Sequence, residues 1–209
     1  MSRKLFIIPA VSLLMTVFFS GVVSAEDFGY FSLDVGSSFR MGDGGVDWLP
    51  GSTISTAWTY RINSVLSSGL NLSFNSWSPC CKNITEDFNS MEKRWVTKGS
   101  YDVIEIAPYL RVFPDFLKHT SFGGYFQVGS GLYIVDSNWS VINGYGLEHN
   151  FFGDKHSGSG FGFNVGGGVT FGDRTRTHYE FSPKYNVIFD GSDTVGYLGL
   201  SIGLLGPER

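Results

Sequence analysis

The groups able to do chemistry in this chain are few: four histidines and two cysteines among 209 residues. Hydrolysis of an acyl group by a nucleophilic serine needs Ser, His and an acid within reach of one another. His119 and Ser121 supply the first two, but no glutamate lies at a suitable distance downstream. His149, Asp154, His156 and Ser157 form a second group in a polar stretch where such residues are common. Neither set meets the geometric demands of a catalytic centre, so the expectation is no enzyme and no catalytic residue. Two histidines seven apart, His149 and His156, with no cysteine or third ligand fixed nearby, do not make a metal centre either. No metal and no cofactor are expected. What remains are six charged residues, Asp34, Arg61, Glu105, Arg111, Glu180 and Lys184, set within alternating apolar and polar sequence. Their meaning depends on the elements that carry them.

Residues 1–25 are a leader. Arg3 and Lys4 precede an apolar run over residues 5–19, and Val23 and Ala25 stand at the −3 and −1 positions of a cleavage site. Export by a Sec-type signal peptide is expected, with residues 26–209 as one mature domain. Loss of Arg3 and Lys4 takes the net charge from −4 to −6, which argues against a nucleic-acid partner. Export also brings an oxidising compartment, so the adjacent Cys80 and Cys81 are expected to form a vicinal disulfide.

Glycine contributes 28 residues and aromatics 16%, while charged residues fall to 16% against an ordinary ~25%. Mean hydropathy is nevertheless only +0.02, so apolar residues are evenly diluted by polar ones and no helical membrane bundle fits. The dilution is a period-2 alternation, the mark of strands. It recurs over residues 28–40, 51–62, 65–77, 100–113, 120–135, 159–171, 176–189 and 194–204. These eight segments exceed the usual ~5–6 residues of a soluble strand and suffice for the ~9–11 of a tilted transmembrane one. The connectors alternate too. Residues 41–50, 78–99 and 136–158 are moderate or long, while 63–64, 114–119 and 172–175 are short; 190–193 breaks the pattern by being short.

The fold class expected is therefore all-β: an eight-stranded antiparallel up-and-down transmembrane barrel. A secreted sandwich shares the alternation, but strand length and aromatics closing the apolar faces (Phe31 and Phe39, Trp58 and Tyr60, Tyr179 and Phe189) favour the barrel. Pro108 and Pro183 lie mid-strand against that reading, because proline removes a ladder donor. The polar face then points inward and carries all six charges. In so narrow a bore a charge needs a partner, so Glu105 and Glu180 are expected to pair with Arg61, Arg111 or Lys184. Inward glycines leave room for the tyrosines opposite.

Residues 160–169 (GFGFNVGGGV) and 197–204 (YLGLSIGL), together with the leader, carry a resemblance. The mature chain resembles the OmpA-like eight-stranded outer-membrane barrel family, which includes opacity-type surface proteins and porin-family barrel domains. In 197–204 the positions Tyr197, Gly199, Ile202 and Leu204 look like the assembly signal of such barrels. The resemblance implies an outer-membrane protein of a Gram-negative bacterium, in contact with lipid and lipopolysaccharide, and a monomer. It implies a non-catalytic role in envelope integrity or adhesion, through loops 78–99 and 136–158. Solute or hydrophobic-molecule channels and lipid A-modifying enzymes share the architecture and stand as alternatives. His119-Thr120-Ser121 has the spacing of the lipid A deacylases, but beside a short turn.

Overall fold

A computed structural model describes residues 29–41, 47–85, 92–114, 122–142, 153–172, 177–190 and 193–207. Residues 1–25, expected from the sequence to be a leader, lie outside the described residues. Ten strands occur: β1 Gly29–Met41, β2 Asp47–Trp48, β3 Gly51–Arg61, β4 Leu66–Trp77, β5 Pro79–Thr85, β6 Glu92–Val112, β7 Phe122–Ile142, β8 Gly153–Phe171, β9 His178–Asp190 and β10 Asp193–Leu205. Eight of them, all but β2 and β5, form one antiparallel sheet that closes on itself through β6–β7 and β1–β10. Closure removes the sandwich alternative.

The register fixes the size of the bore. Hydrogen-bonded partners lead from Tyr30 through Thr59, Gly69, Tyr109, Gly129, Asn164, Asn186 and Tyr197 to Arg40. One circuit thus climbs from residue 30 to residue 40 of β1. A stagger of that size on eight strands tilts them by about 40° and sets a backbone radius of roughly 8 Å, narrow enough for side chains to fill.

Every residue on that circuit points inward, and its neighbours point out. Leu33, Val35, Ile54, Phe126, Val128, Val165, Phe181 and Ile202 are exposed on the exterior, whereas Ser32, Asn71, Ser73, Glu105, Gln127 and Glu180 are buried inside. A soluble protein does not leave so large a continuous apolar surface open. From Tyr179 to Phe189, β9 rises ten residues, which at ~3.3 Å each and ~40° of tilt spans roughly 25 Å, the height of a barrel's lipid-facing band. The exterior is a membrane surface.

Both prolines are accommodated on the same plan. The β6–β7 ladder skips Ala107 and Pro108, and the β8–β9 ladder skips Ser182 and Pro183, with no register slip in either case. Beside Pro183 the Ser182 hydroxyl donates to the Gly167 carbonyl at 3.5 Å, which supplies the donor that proline lacks.

The long connectors correct the sequence reading. Residues 78–99 and 136–158 are not loops throughout. β5 pairs with the first residues of β6, and β6 and β7 stay paired up to Val96↔Ile142. β7 and β8 stay paired up to Ser140↔Gly153. Even 41–50 holds a two-residue strand, β2, on β5. The backbone ladder there continues through sequence that lacks the apolar alternation by which a strand is recognised. The outcome is lopsided. β5, β6, β7 and β8 stand well above the membrane band, while β9 and β10 meet near Asp190 and Asp193.

Candidate functional site in the lumen and at its mouth

The terminal end of the barrel holds Arg61. Its Nε donates to the Asn63 carbonyl at 3.4 Å in the turn between β3 and β4, and its guanidinium lies 5.8 Å from the Phe113 ring. The Asn63 side chain closes that turn by accepting from the Val65 and Leu66 amides at 2.8 and 2.9 Å. Arg61 is thus a rim residue and pairs with neither lumenal glutamate.

Deeper in, Arg111 on β6 and Glu180 on β9 form a two-pronged pair, Nη1–Oε2 and Nη2–Oε1 each 3.2 Å, with both side chains almost fully buried. Arg111 Nε donates to Gln127 Oε1 at 2.8 Å, and its plane stacks 4.3 Å from the Tyr125 ring. The Tyr125 hydroxyl donates to Glu180, and the Tyr109 and Thr59 hydroxyls bond each other. Such a planar fork suits a carboxylate, which explains arginine at this position.

Higher in the bore, six residues before Arg111 on β6, sits Glu105. Its Oε2 accepts from the Ser73 hydroxyl at 2.7 Å and from Lys184 Nζ at 2.8 Å; its Oε1 accepts from Asn164 Nδ2 at 3.1 Å and from the Tyr133 hydroxyl at 3.4 Å. Asp34 is different. Only the Ser32 and Ser55 hydroxyls reach it, both at 3.4 Å and both on Oδ2, and it has no ion pair among the described residues. The six charges read from the sequence therefore divide. Four are joined as two pairs, Asp34 borders the same cavity as Arg111, Glu180 and Lys184 without a hydrogen bond to any of them, and Arg61 is at the rim.

Glycines make this packing fit. A Cβ at Gly69, Gly162 or Gly168 would come within 2.5–2.6 Å of the rings of Tyr109, Tyr133 and Tyr125 respectively.

The long-hairpin half of the lumen is not polar, contrary to the expectation of a polar interior throughout. Val103, Val135, Ile188 and Val195 are buried there with Trp77, Tyr101, Tyr133 and Tyr197. Trp77 packs 5.0 Å from Tyr197 and donates its Nε1 to the Ser38 carbonyl at 3.1 Å. Over this cluster the Arg40 guanidinium stacks 4.3 Å from Trp48 and 3.8 Å from Tyr101, so β2 carries a ring across the mouth. The four aliphatics at inward positions were the signal in the sequence, since each interrupts a polar face.

At the opposite side of the mouth His156 Nε2 and Asp190 Oδ2 lie 2.8 Å apart, and Ser137 is the cross-strand neighbour of His156. Ser137 Oγ is buried and has no hydrogen-bond partner among the described residues. His119, Ser121 and His149 lie outside the described residues, as does the Asp154 side chain. No group of three or more His, Cys, Asp or Glu suited to a metal occurs among the described residues. Cys80 lies in β5; the side chain of Cys81, and with it the vicinal disulfide, lies outside the described residues.

No family model matches the chain, and no curated protein matches it. Solved structures do match in shape. Neisserial surface protein A aligns over 85% of this chain and 96% of its own, with a TM-score of 0.55 at 14% identity. The outer membrane protein OprG of Pseudomonas aeruginosa aligns over 87% and 97%, with a TM-score of 0.50 at 9% identity. At such identities the likeness concerns the backbone alone. A closed circuit of eight strands, a filled bore, an apolar exterior and these two likenesses together give the chain the eight-stranded outer-membrane β-barrel fold.

Proposed function

We propose that this chain is a non-catalytic outer-membrane protein whose task is recognition at the cell surface. The observation that carries this reading is the lopsided wall of β5–β8 above the membrane band. One side of that wall is covered by β2 on β5. On the other side, β8 pairs with β9 only from Phe161 downward, so among the described residues 153–160 form a strand edge with no partner strand. An open, Gly- and Ser-rich edge offers backbone donors and acceptors to an extended segment of another protein, with few side chains in the way. By the rule of short periplasmic turns and longer external loops, this end faces outward.

The interior supports the same reading. Two buried ionic clusters and an aromatic–aliphatic stopper fill the bore, which disfavours a solute channel. We expect no unitary conductance from the purified protein in planar bilayers. Adhesion is tested by expressing the full chain, or a chain whose two tall hairpins are trimmed to the membrane level, on a non-adherent bacterium. Binding to immobilised host matrix protein should be lost on trimming while heat-modifiable gel migration persists. Equal binding by both chains would refute the surface role.

A further inference from the structure

Proline interrupts the barrel wall twice, and only one interruption is repaired from within. In an antiparallel ladder each residue turns both its amide and its carbonyl toward the same neighbour. The β6–β7 register holds at Ile106↔Leu132 and at Tyr109↔Gly129, and it is lost at residues 107 and 108. That pattern arises when Pro108 and Ser130 are the hydrogen-bonded pair, because the missing proline N–H leaves the Ser130 carbonyl without its donor. Ser130 then turns its backbone groups away from β8, so its register with Phe163 supplies none. At Pro183 the preceding residue, Ser182, donates its hydroxyl to the stranded Gly167 carbonyl. The residue before Pro108 is Ala107, which has no donor to offer. Among the described residues no side chain donates to the Ser130 carbonyl.

Beside this break lies a groove of about 550 Å³ in the outer wall, bounded by Ser68, Pro108, Leu110, Val128, Ser130 and Phe163. Leu110, Val128 and Phe163 are exposed on the apolar exterior, so the groove lies within the lipid-facing band. Hydrocarbon offers a carbonyl nothing, and an unmet backbone group is costly there. Ser68 and Ser130 add two hydroxyls, each able to donate and to accept.

We propose that this notch binds a membrane lipid whose acyl chain carries a hydroxyl group. The lipid hydroxyl donates to the Ser130 carbonyl and accepts from a serine hydroxyl of the groove, while the chain lies along Leu110, Val128 and Phe163. A bilayer lipid is the occupant because the groove is continuous with the surface that acyl chains already cover. The carbonyl stands within the band and not at its edge, so the matching hydroxyl belongs part-way along the chain and not in the headgroup.

The test reconstitutes the mature chain in nanodiscs holding equal amounts of two phosphatidylcholines, one with a 12-hydroxyoctadecanoyl chain and one with octadecanoyl in its place. Lipids that stay with the protein on release are counted by native mass spectrometry. One added hydrogen bond of ordinary net strength predicts roughly 2–10-fold enrichment of the hydroxylated lipid. Pro108→Ala restores the ladder N–H and should abolish the enrichment. Ala107→Ser reproduces the Ser182–Pro183 arrangement and should abolish it by a separate route, so the test stands if one of the two variants fails to fold. Heat-modifiable migration identifies the folded variants. Equal retention of both lipids by the parent would overturn the proposal, as would enrichment that survives in either folded variant. A dimer of the chain that Pro108→Ala dissolves would assign the notch to a second copy and equally overturn it.

Discussion

Separating Arg111 from Glu180 should be among the most damaging single changes available to the lumen. In Arg111→Met the Glu180 side chain stays 1% exposed and keeps only the Tyr125 hydroxyl, while Gln127 loses its donor. Removal of one partner of a buried pair costs about 3–5 kcal/mol, chiefly as an unpaired charge. Glu180→Met strands the guanidinium in the same way, and a similar loss is expected. Arg111→Met/Glu180→Met strands neither charge. It orphans Gln127, while the Tyr125 hydroxyl keeps Ser182 Oγ at 3.1 Å, and at ~1–3 kcal/mol for such a group it should fall well short of the summed singles. The double-mutant cycle should therefore return a coupling of at least ~2 kcal/mol. Reversible urea unfolding in lipid vesicles, read from tryptophan fluorescence, measures all four states. A double variant that loses as much as the two singles added together would refute the argument that the pair acts as one unit.

Lys184→Met should cost less, about 1–2 kcal/mol in the same assay. Lys184 is partly exposed, and Glu105 keeps donors from Ser73, Asn164 and Tyr133. Val165→Lys, in the middle of the lipid-facing band, should lose about 2–4 kcal/mol, whereas Ser157→Lys above the band should be close to neutral. Equal effects at the two sites would place the membrane boundary elsewhere. Gly168→Val drives a side chain into the Tyr125 ring and should cost about 1–3 kcal/mol, part of it regained by Tyr125→Leu in the same chain.

Strands and their faces were legible in the sequence because lipid and a narrow bore impose opposite demands on adjacent residues. Phe126, Val128 and Leu132 could be assigned outward, and Tyr125 and Gln127 inward, from alternation alone. Partnership inside the bore was not legible. Arg111 meets Glu180 across 69 positions, and which carboxylate it faces depends on the stagger of the barrel, a property of the whole circuit. Asp34 shows the same limit: its residue type says charge, and only the closed structure shows that both nearby cations are taken. The stopper left a fainter trace in Val103, Val135, Ile188 and Val195. The raised hairpins left none, because their pairing is carried by the backbone ladder through sequence without apolar alternation.

Closure through β1 and β10 joins residues 32 and 205, in the first and last strands of the barrel, while every other seam joins consecutive barrel strands. The final seam has the largest loop to close and must form last if strands are added in chain order. Until then β1 carries a bare edge that faces hydrocarbon, where unmet backbone groups are costly. Insertion of this chain is thus a timed event: whatever shields the first strand must hold it until the last one arrives.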